Sequence, residues 1–171
     1  QVLVRQEANG GHAANGYARI SGKPAVCIAT SGPGATNLIT AIATAYADSI
    51  PIVCITGQVN TDQIGSDVFQ EADITGSAEP FVKHSYLLKD PEDTARVFKE
   101  AFYIAGTGRP GPVLIDIPMD VQKAVVDFEY PEKCEIRSYK PTTKGNYVQV
   151  RRVMAALEEA EKPLICIGGG V

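Results

Sequence analysis

Glu7 is the first residue in this sequence whose type and setting point to chemistry, standing between a short apolar run, VLV at 2–4, and the glycine- and alanine-rich stretch ANGGHAANGYAR at 8–19. Gly10, Gly11 and Gly16 each cost a helix interior roughly 1 kcal/mol relative to alanine. The usual compensation is close approach of a backbone or ligand that a side chain would block. One reading is a carboxyl placed to handle a proton. The other is a tightly packed core or interface helix carrying a solvated acid in its first turn, where the helix dipole favours one. Three further stretches carry unusual polarity after apolar runs: TSGPGATN at 30–37, TGQVNTDQIGSDVFQEADI at 56–74 and DIPMD at 116–120. The glycines of the first let backbone come close to a ligand. The second offers the amides of Gln58 and Gln70 and the ring of Phe69. An amide at 70 can bond a carboxylate or a developing alkoxide, or it is an ordinary loop amide, and Gln58 is as consistent with a turn role as with a site role.

The elements that must position these residues follow from periodicity. Apolar strand-like runs recur at 2–4, 25–29, 52–56, 113–117 and 164–168, most of them separated by helix-like segments. Near-continuous β-branched runs alternating with helices imply an α/β fold, a parallel sheet with helices on both faces. Ligands of such sheets bind beyond the carboxyl ends of the strands, where the four polar stretches lie. The spacing of Val97, Phe98, Ala101, Phe102 and Ala105 predicts a helix over 91–105, N-capped by Asp90 and stopped by Gly106. A second amphipathic helix is predicted over 147–160. Residues 126–146 are polar, contain proline and show no period, which reads as a linker. The resulting organisation is one domain over 1–125 and the start of a second α/β domain over 147–171. GPGATN by itself is weak evidence of nucleotide binding, since it lacks the third glycine of a dinucleotide fingerprint and the lysine of a phosphate loop.

Composition narrows the classes. A net charge of -4 with no basic run argues against nucleic acid as the main partner. No apolar stretch approaches the ~20 residues of a membrane span. Cys27, Cys54, Cys134 and Cys166 show no CxxC pairing; three lie in apolar runs, where a free cysteine acts as a small buried hydrophobe, and this favours a reducing, cytoplasmic setting. The two histidines, His12 and His84, are far apart in sequence, so no metal ligands are expected in this chain.

Taken together, HAANGYAR, ATSGPGATNLITAIATAYADSIPIVCITGQV, DVFQEADI, KHSYLLKD and EAFYIAGTGRPGPVLIDIP closely resemble the acetolactate synthase (acetohydroxyacid synthase) catalytic subunits, a family of thiamine-diphosphate transferases. The resemblance runs from about Val4 to Gln122 and places 1–125 in the pyrimidine-binding domain and 147–171 at the start of the middle domain. It implies condensation of pyruvate with pyruvate or 2-ketobutyrate in branched-chain amino acid biosynthesis. It makes Glu7 the glutamate that shares a proton with the cofactor's aminopyrimidine, a task that suits a buried carboxyl with a raised pKa. Pro33 and Asn37 then lie around the pyrimidine, with a turn and helix start as their bland alternative. Gln70 lines the substrate site beside Phe69. Arg109 contacts FAD, or is a helix-end arginine neutralising terminal carbonyls.

Departures from the family pattern matter as well. Met119 stands where the family usually has a substrate-channel lysine, Asn60 replaces a proline at the channel rim, and Gln6 replaces the histidine before the glutamate. Loss of the cation at 119 bears on the acceptor ketoacid. The GDG motif and downstream asparagine that hold Mg2+ and the diphosphate are not in this chain, so a longer parent protein, a homodimer or homotetramer, is expected, with a regulatory small subunit left open. The piece by itself is expected to be inactive. The alternatives are a sister carboligase, such as glyoxylate carboligase, a 2-ketoacid decarboxylase, or a non-catalytic nucleotide-binding domain.

Overall fold

The computed structural model describes residues 1–170, so the final residue of the 147–171 segment lies outside the described residues. The chain divides into two compact units, Gln1–Tyr139 and the residues from Lys140 onward.

In the first unit, helix α1 (Glu7–Ser21) leads to strand β1 (Ala25–Ala29), then to the short helix α2 (Pro33–Asn37) and to α3 (Ile39–Ala47). Strand β2 (Ile52–Gln58) is followed by the long polar loop, helix α4 (Ile74–Ala78) and strand β3 (His84–Leu87). Helix α5 (Thr94–Gly106), strand β4 (Val113–Pro118) and helix α6 (Met119–Lys123) complete it. All four strands are parallel, in the order β1-β2-β4-β3. Because side chains alternate across a strand, the sheet carries two cores. Ala25, Cys27, Ile52, Cys54 and Leu114 pack with Ala14, Ala18, Leu38 and Ile42 on one face. Val53, Val113 and Ile115 pack with Val97, Ala101, Ile104 and Ala105 of α5 on the other. This is the expected α/β architecture with helices on both faces. Cys27 and Cys54 are register partners on neighbouring strands, both buried, with their sulfurs 3.3 Å apart.

Four expectations need correction. Residues 2–4 form no strand; Val2 and Leu3 are exposed, and without a laddered neighbour a three-residue run cannot satisfy its backbone as a strand. Residues 164–168 form none either. Among its described residues the second unit contains one helix, α7 (Tyr147–Glu159), and no strand to pair with, and Cys166 is exposed rather than buried. The missed strand is β3, an edge strand whose sequence HSYL is half-exposed, so it never makes a continuous apolar run. The helix expected over 91–105 begins as a 3-10 turn, Pro91–Asp93, whose Glu92 N–H donates to the Asp90 carboxylate, and becomes α-helical at Thr94.

The glycines of α1 separate by role. A Cβ on Gly11 would lie 2.5 Å from Ala41 Cβ, so this glycine sets how closely α1 approaches α3. Gly16 has nothing within 4 Å of a built Cβ. The stretch 126–146 has no strand and no helix. Ile136 and Tyr139 pack against the α5 core. The Tyr139 hydroxyl donates to Thr107 O at 2.7 Å and accepts from Lys83 Nζ at 2.9 Å, and Lys83 also donates to the carbonyls of Ile104 and Thr107 at the end of α5.

Candidate functional site

The site forms where β1, β2 and β4 end, as the sheet rule requires. β1 runs into Thr30, Ser31 and Gly32, and α2 starts at Pro33. Glu7, the first residue of α1, reaches across to the end of α2, where Asn37 Nδ2 donates to Glu7 Oε2 at 3.0 Å. A Cβ on Gly34 would lie 2.7 Å from Thr30 Cγ2 and 3.6 Å from Glu7 Oε1. The absence of a side chain there keeps the space beside the carboxylate open. Glu7 and Asn37 are thus brought together, with Pro33 one turn before Asn37.

The electrostatics of Glu7 differ from expectation. The residue is only partly buried, and its carboxyl is held below the ordinary value, first by the Asn37 hydrogen bond and then by a backbone N–H, while slight burial pushes the other way. A raised pKa needs desolvation to outweigh hydrogen bonding to the charged form, and in this chain it does not. Replacing Asn37 with leucine removes the leading cause. The Glu7 titration followed by side-chain carboxyl NMR is then expected to move up; a midpoint unchanged from the parent would show that Asn37 does not set it.

The residues expected to line a substrate channel gather at a second point. A cleft of about 300 Å³ is lined by Ser31, Gln58, Asn60, Phe69, Gln70 and Met119. Phe69 stands at its rim, 87% exposed, and Met119 starts α6. Gln70 adopts a positive φ of 61°, a sparsely populated conformation for a residue with a side chain. Its backbone packs directly on Gly32: a Cβ there would come within 2.7 Å of Gln70 O. The loop carrying Gln70 and the Gly32 turn that leads into α2 are therefore in van der Waals contact. The Gln70 loop has its own latches. The Asp120 carboxylate accepts from Thr61 N at 3.1 Å and from the Thr61 hydroxyl, and the Glu71 carboxylate accepts from Gly65 N and from Val68 N at 3.2 Å.

Arg109 lies elsewhere. Its Nε donates to Ser49 Oγ at 2.8 Å and its Nη2 to the carbonyls of Tyr46 and Ala47 at 3.3 and 3.4 Å, neutralising the end of α3 as the helix-end reading anticipated.

Beneath the cleft, sequence reasoning missed a buried polar cluster. Thr56 and Asp116 are register partners on β2 and β4, both essentially inaccessible. Thr56 Oγ1 donates to Asp116 Oδ1 at 2.6 Å, and Gln58 Nε2 donates to Asp116 Oδ2 at 2.9 Å. Burial pushes the Asp116 carboxyl up to about 6, against the pull of the Thr56 and Gln58 bonds, with Asp73 nearby adding to the rise. An acid whose pKa is higher folded than unfolded destabilises the fold above the folded value; that cost is relieved as pH falls from about 6 towards 4. At 1.36 kcal/mol per pKa unit it amounts to about 3 kcal/mol at neutral pH. The signal available in the sequence was one polar residue inside each of two apolar runs, IVCIT and VLIDI.

The family model described as "Thiamine pyrophosphate enzyme, N-terminal TPP binding domain" matches residues 1–77. The chain is similar to an acetolactate synthase large subunit of Corynebacterium glutamicum, 51% identical over 99% of this chain and 27% of the relative. It is similar to an acetolactate synthase of Arthrospira platensis, 53% identical over 98% of this chain and 29% of the relative. A probable acetolactate synthase large subunit of Methanocaldococcus jannaschii is 50% identical over 99% of this chain and 29% of its own length. The chain thus spans less than a third of the length of these relatives. Along nearly its whole length the chain is thus similar to the corresponding part of acetolactate synthase large subunits, and its residues 1–77 match the N-terminal TPP-binding domain of thiamine-pyrophosphate enzymes.

Proposed function

We propose that the parent protein condenses pyruvate with pyruvate or 2-ketobutyrate, and that this chain supplies the pyrimidine half of its thiamine-diphosphate site. The observation that carries the proposal is the Glu7–Asn37 pair beside the bare Cα of Gly34. The residues fit the cofactor's aminopyrimidine: Glu7 Oε1 bonds no other side chain among the described residues, and the Gly34 space is one that a Cβ would fill. When bound, thiamine diphosphate supplies the electron sink for breaking and making bonds at the ketoacid carbonyl carbon. Glu7 holds the proton shared with the pyrimidine, Asn37 orients the Glu7 carboxyl, and Pro33 shapes the turn before it. Gln70 is the amide that meets a ketoacid carboxylate or the oxygen gaining charge, with Phe69, Asn60 and Met119 bounding its approach.

The residues holding Mg2+ and the diphosphate would lie outside 1–171. FAD would meet this chain at Arg109, exposed at the end of α3. A homodimer or homotetramer completing the site, with or without a regulatory small subunit, and a cytoplasmic location fit the family. Among the described residues no helix is long and apolar enough to cross a membrane. The domain division at 125 and 147 belongs to the same proposal.

The test uses the full-length parent protein with pyruvate, thiamine diphosphate and Mg2+, with products identified by NMR. Acetolactate is the expected product. Acetaldehyde, or no consumption of pyruvate, would move the function to a decarboxylase or sister carboligase on the same fold.

A further inference from the structure

Gln58 joins the buried cluster to the site. Its Nε2 donates both to Asp116 Oδ2, at 2.9 Å, and to the carbonyl of Ala72, at 2.8 Å, while its Oε1 accepts from Val59 N at 2.9 Å. The amide is thereby fixed in one orientation, with every bond assigned. Ala72 lies two residues past Gln70, and its carbonyl also accepts from Ile74 N at 2.9 Å, the first residue of α4. Gln70 in turn is held at positive φ against Gly32. A continuous chain of contacts thus runs from a carboxylate in the middle of the sheet to the loop presenting Gln70, and from there to the Gly32 turn at the start of α2.

A charged group in this position is unfavourable for folding alone, since a buried carboxylate loses its hydration. A valine or leucine at 116 would continue the apolar pattern of VLIDI. We propose that Asp116 is a positioning residue for the Gln70 loop: by accepting from Gln58 it fixes the Ala72 carbonyl, and so sets where the Gln70 side chain stands in the cleft. The inference rests on the reading of Gln70 as a substrate-facing amide. It adds a residue that touches neither cofactor nor substrate. What Asp116 must supply is an acceptor towards Gln58, and a charge is not required. Asparagine keeps that acceptor, because its own amide nitrogen can donate to Thr56 Oγ1, which accepts as well as donates. Leucine cannot.

The experiment compares Asp116→Leu, Asp116→Asn and Gln58→Leu in the full-length protein. Two readouts are taken: amide hydrogen exchange, and pyruvate kinetics split into kcat and KM. Asp116→Leu and Gln58→Leu are expected to speed exchange at the Glu71 and Ile74 amides more than at Val53 and Ile55 of β2. They are also expected to raise KM for pyruvate by about 10- to 100-fold, the cost of displacing a positioning group. Asp116→Asn should stay near the parent in both. Gln58→Leu severs the same link without altering the carboxylate, so it gives the reading if Asp116→Leu does not fold. Exchange that rises equally in loop and strands, or an Asp116→Asn protein as impaired as Asp116→Leu, would overturn the proposal and leave the cluster as sheet packing. A loosened loop with kinetics unchanged would overturn the Gln70 reading beneath it. A parent that consumes no pyruvate would instead count against the proposed function, and the exchange pattern would still decide what Asp116 holds.

Discussion

Replacing Glu7 with glutamine in the full-length protein is expected to lower turnover by about 10²–10⁴-fold, the range that a positioned acid–base group contributes. Glutamine has nearly the same shape, and its amide oxygen can still accept from Asn37, so geometry is preserved. What is lost is the ability to hold and share a proton. Stability should change little, because Glu7 is only partly buried and its hydrogen bond with Asn37 is retained. The pKa direction sharpens the expectation. In this chain the Glu7 carboxyl sits below its ordinary value, chiefly because of Asn37, so at neutral pH it is ionised. It can share a proton near neutrality only once the site is covered and desolvation opposes that hydrogen bond. Thiamine-diphosphate affinity should therefore fall as pH rises in the parent, and this dependence should flatten in Glu7→Gln. The check is steady-state pyruvate consumption together with cofactor titration across pH. Turnover close to the parent's would return Glu7 to the role of a solvated acid at a helix start.

Periodicity made the frame of the molecule readable. The runs IVCIT and VLIDI became β2 and β4 because parallel strands covered on both faces are apolar throughout, and AVCIA became the edge strand β1 although its Val26 and Ile28 face is exposed. β3 escaped notice because its sequence, HSYL, is half-exposed and makes no apolar run. LICIG misled because an apolar run becomes a strand only beside another strand, and the described residues of the unit beginning at Lys140 offer none. At the site, the residue types were legible and their linkage was not. Glu7 and Asn37 are thirty positions apart, and nothing in local spacing shows that α1 starts over the end of α2. Likewise Thr56 and Asp116 are sixty positions apart, and become neighbours only through the β2–β4 register. The burial expected for Glu7 failed because the sequence shows that a carboxyl is present and leaves open how much protein covers it.

A single methyl group at Gly32 is expected to be the most damaging small change in the site. Gly32 has φ 61° and ψ -120°, the conformation of the first central residue of a type II′ turn, which glycine dominates because a side chain strains it. Alanine there carries about 1–3 kcal/mol of backbone strain. Its Cβ would also stand 2.7 Å from Gln70 O and 2.9 Å from Gln70 Cα. Backbone is a poor neighbour to displace, and this backbone is doubly constrained. Gln70 already holds a positive φ, and Ala72, two residues on, is tied to Gln58. Overpacking of this kind adds about 1–3 kcal/mol, so Gly32→Ala should cost about 2–6 kcal/mol. Pushing the two loops apart moves Gln70 relative to Glu7 and Gly34, so activity should fall even at temperatures where the protein stays folded. Gly16→Ala is the matched comparison, since its added Cβ meets nothing within 4 Å and a helix gains about 0.5–1 kcal/mol from the change. In thermal unfolding of the full-length protein, Gly32→Ala should melt well below the parent and Gly16→Ala at or above it. Equal melting of the two variants would mean that the Gly32 turn can relax without disturbing Gln70, and that the contact between the two loops does not hold the site together.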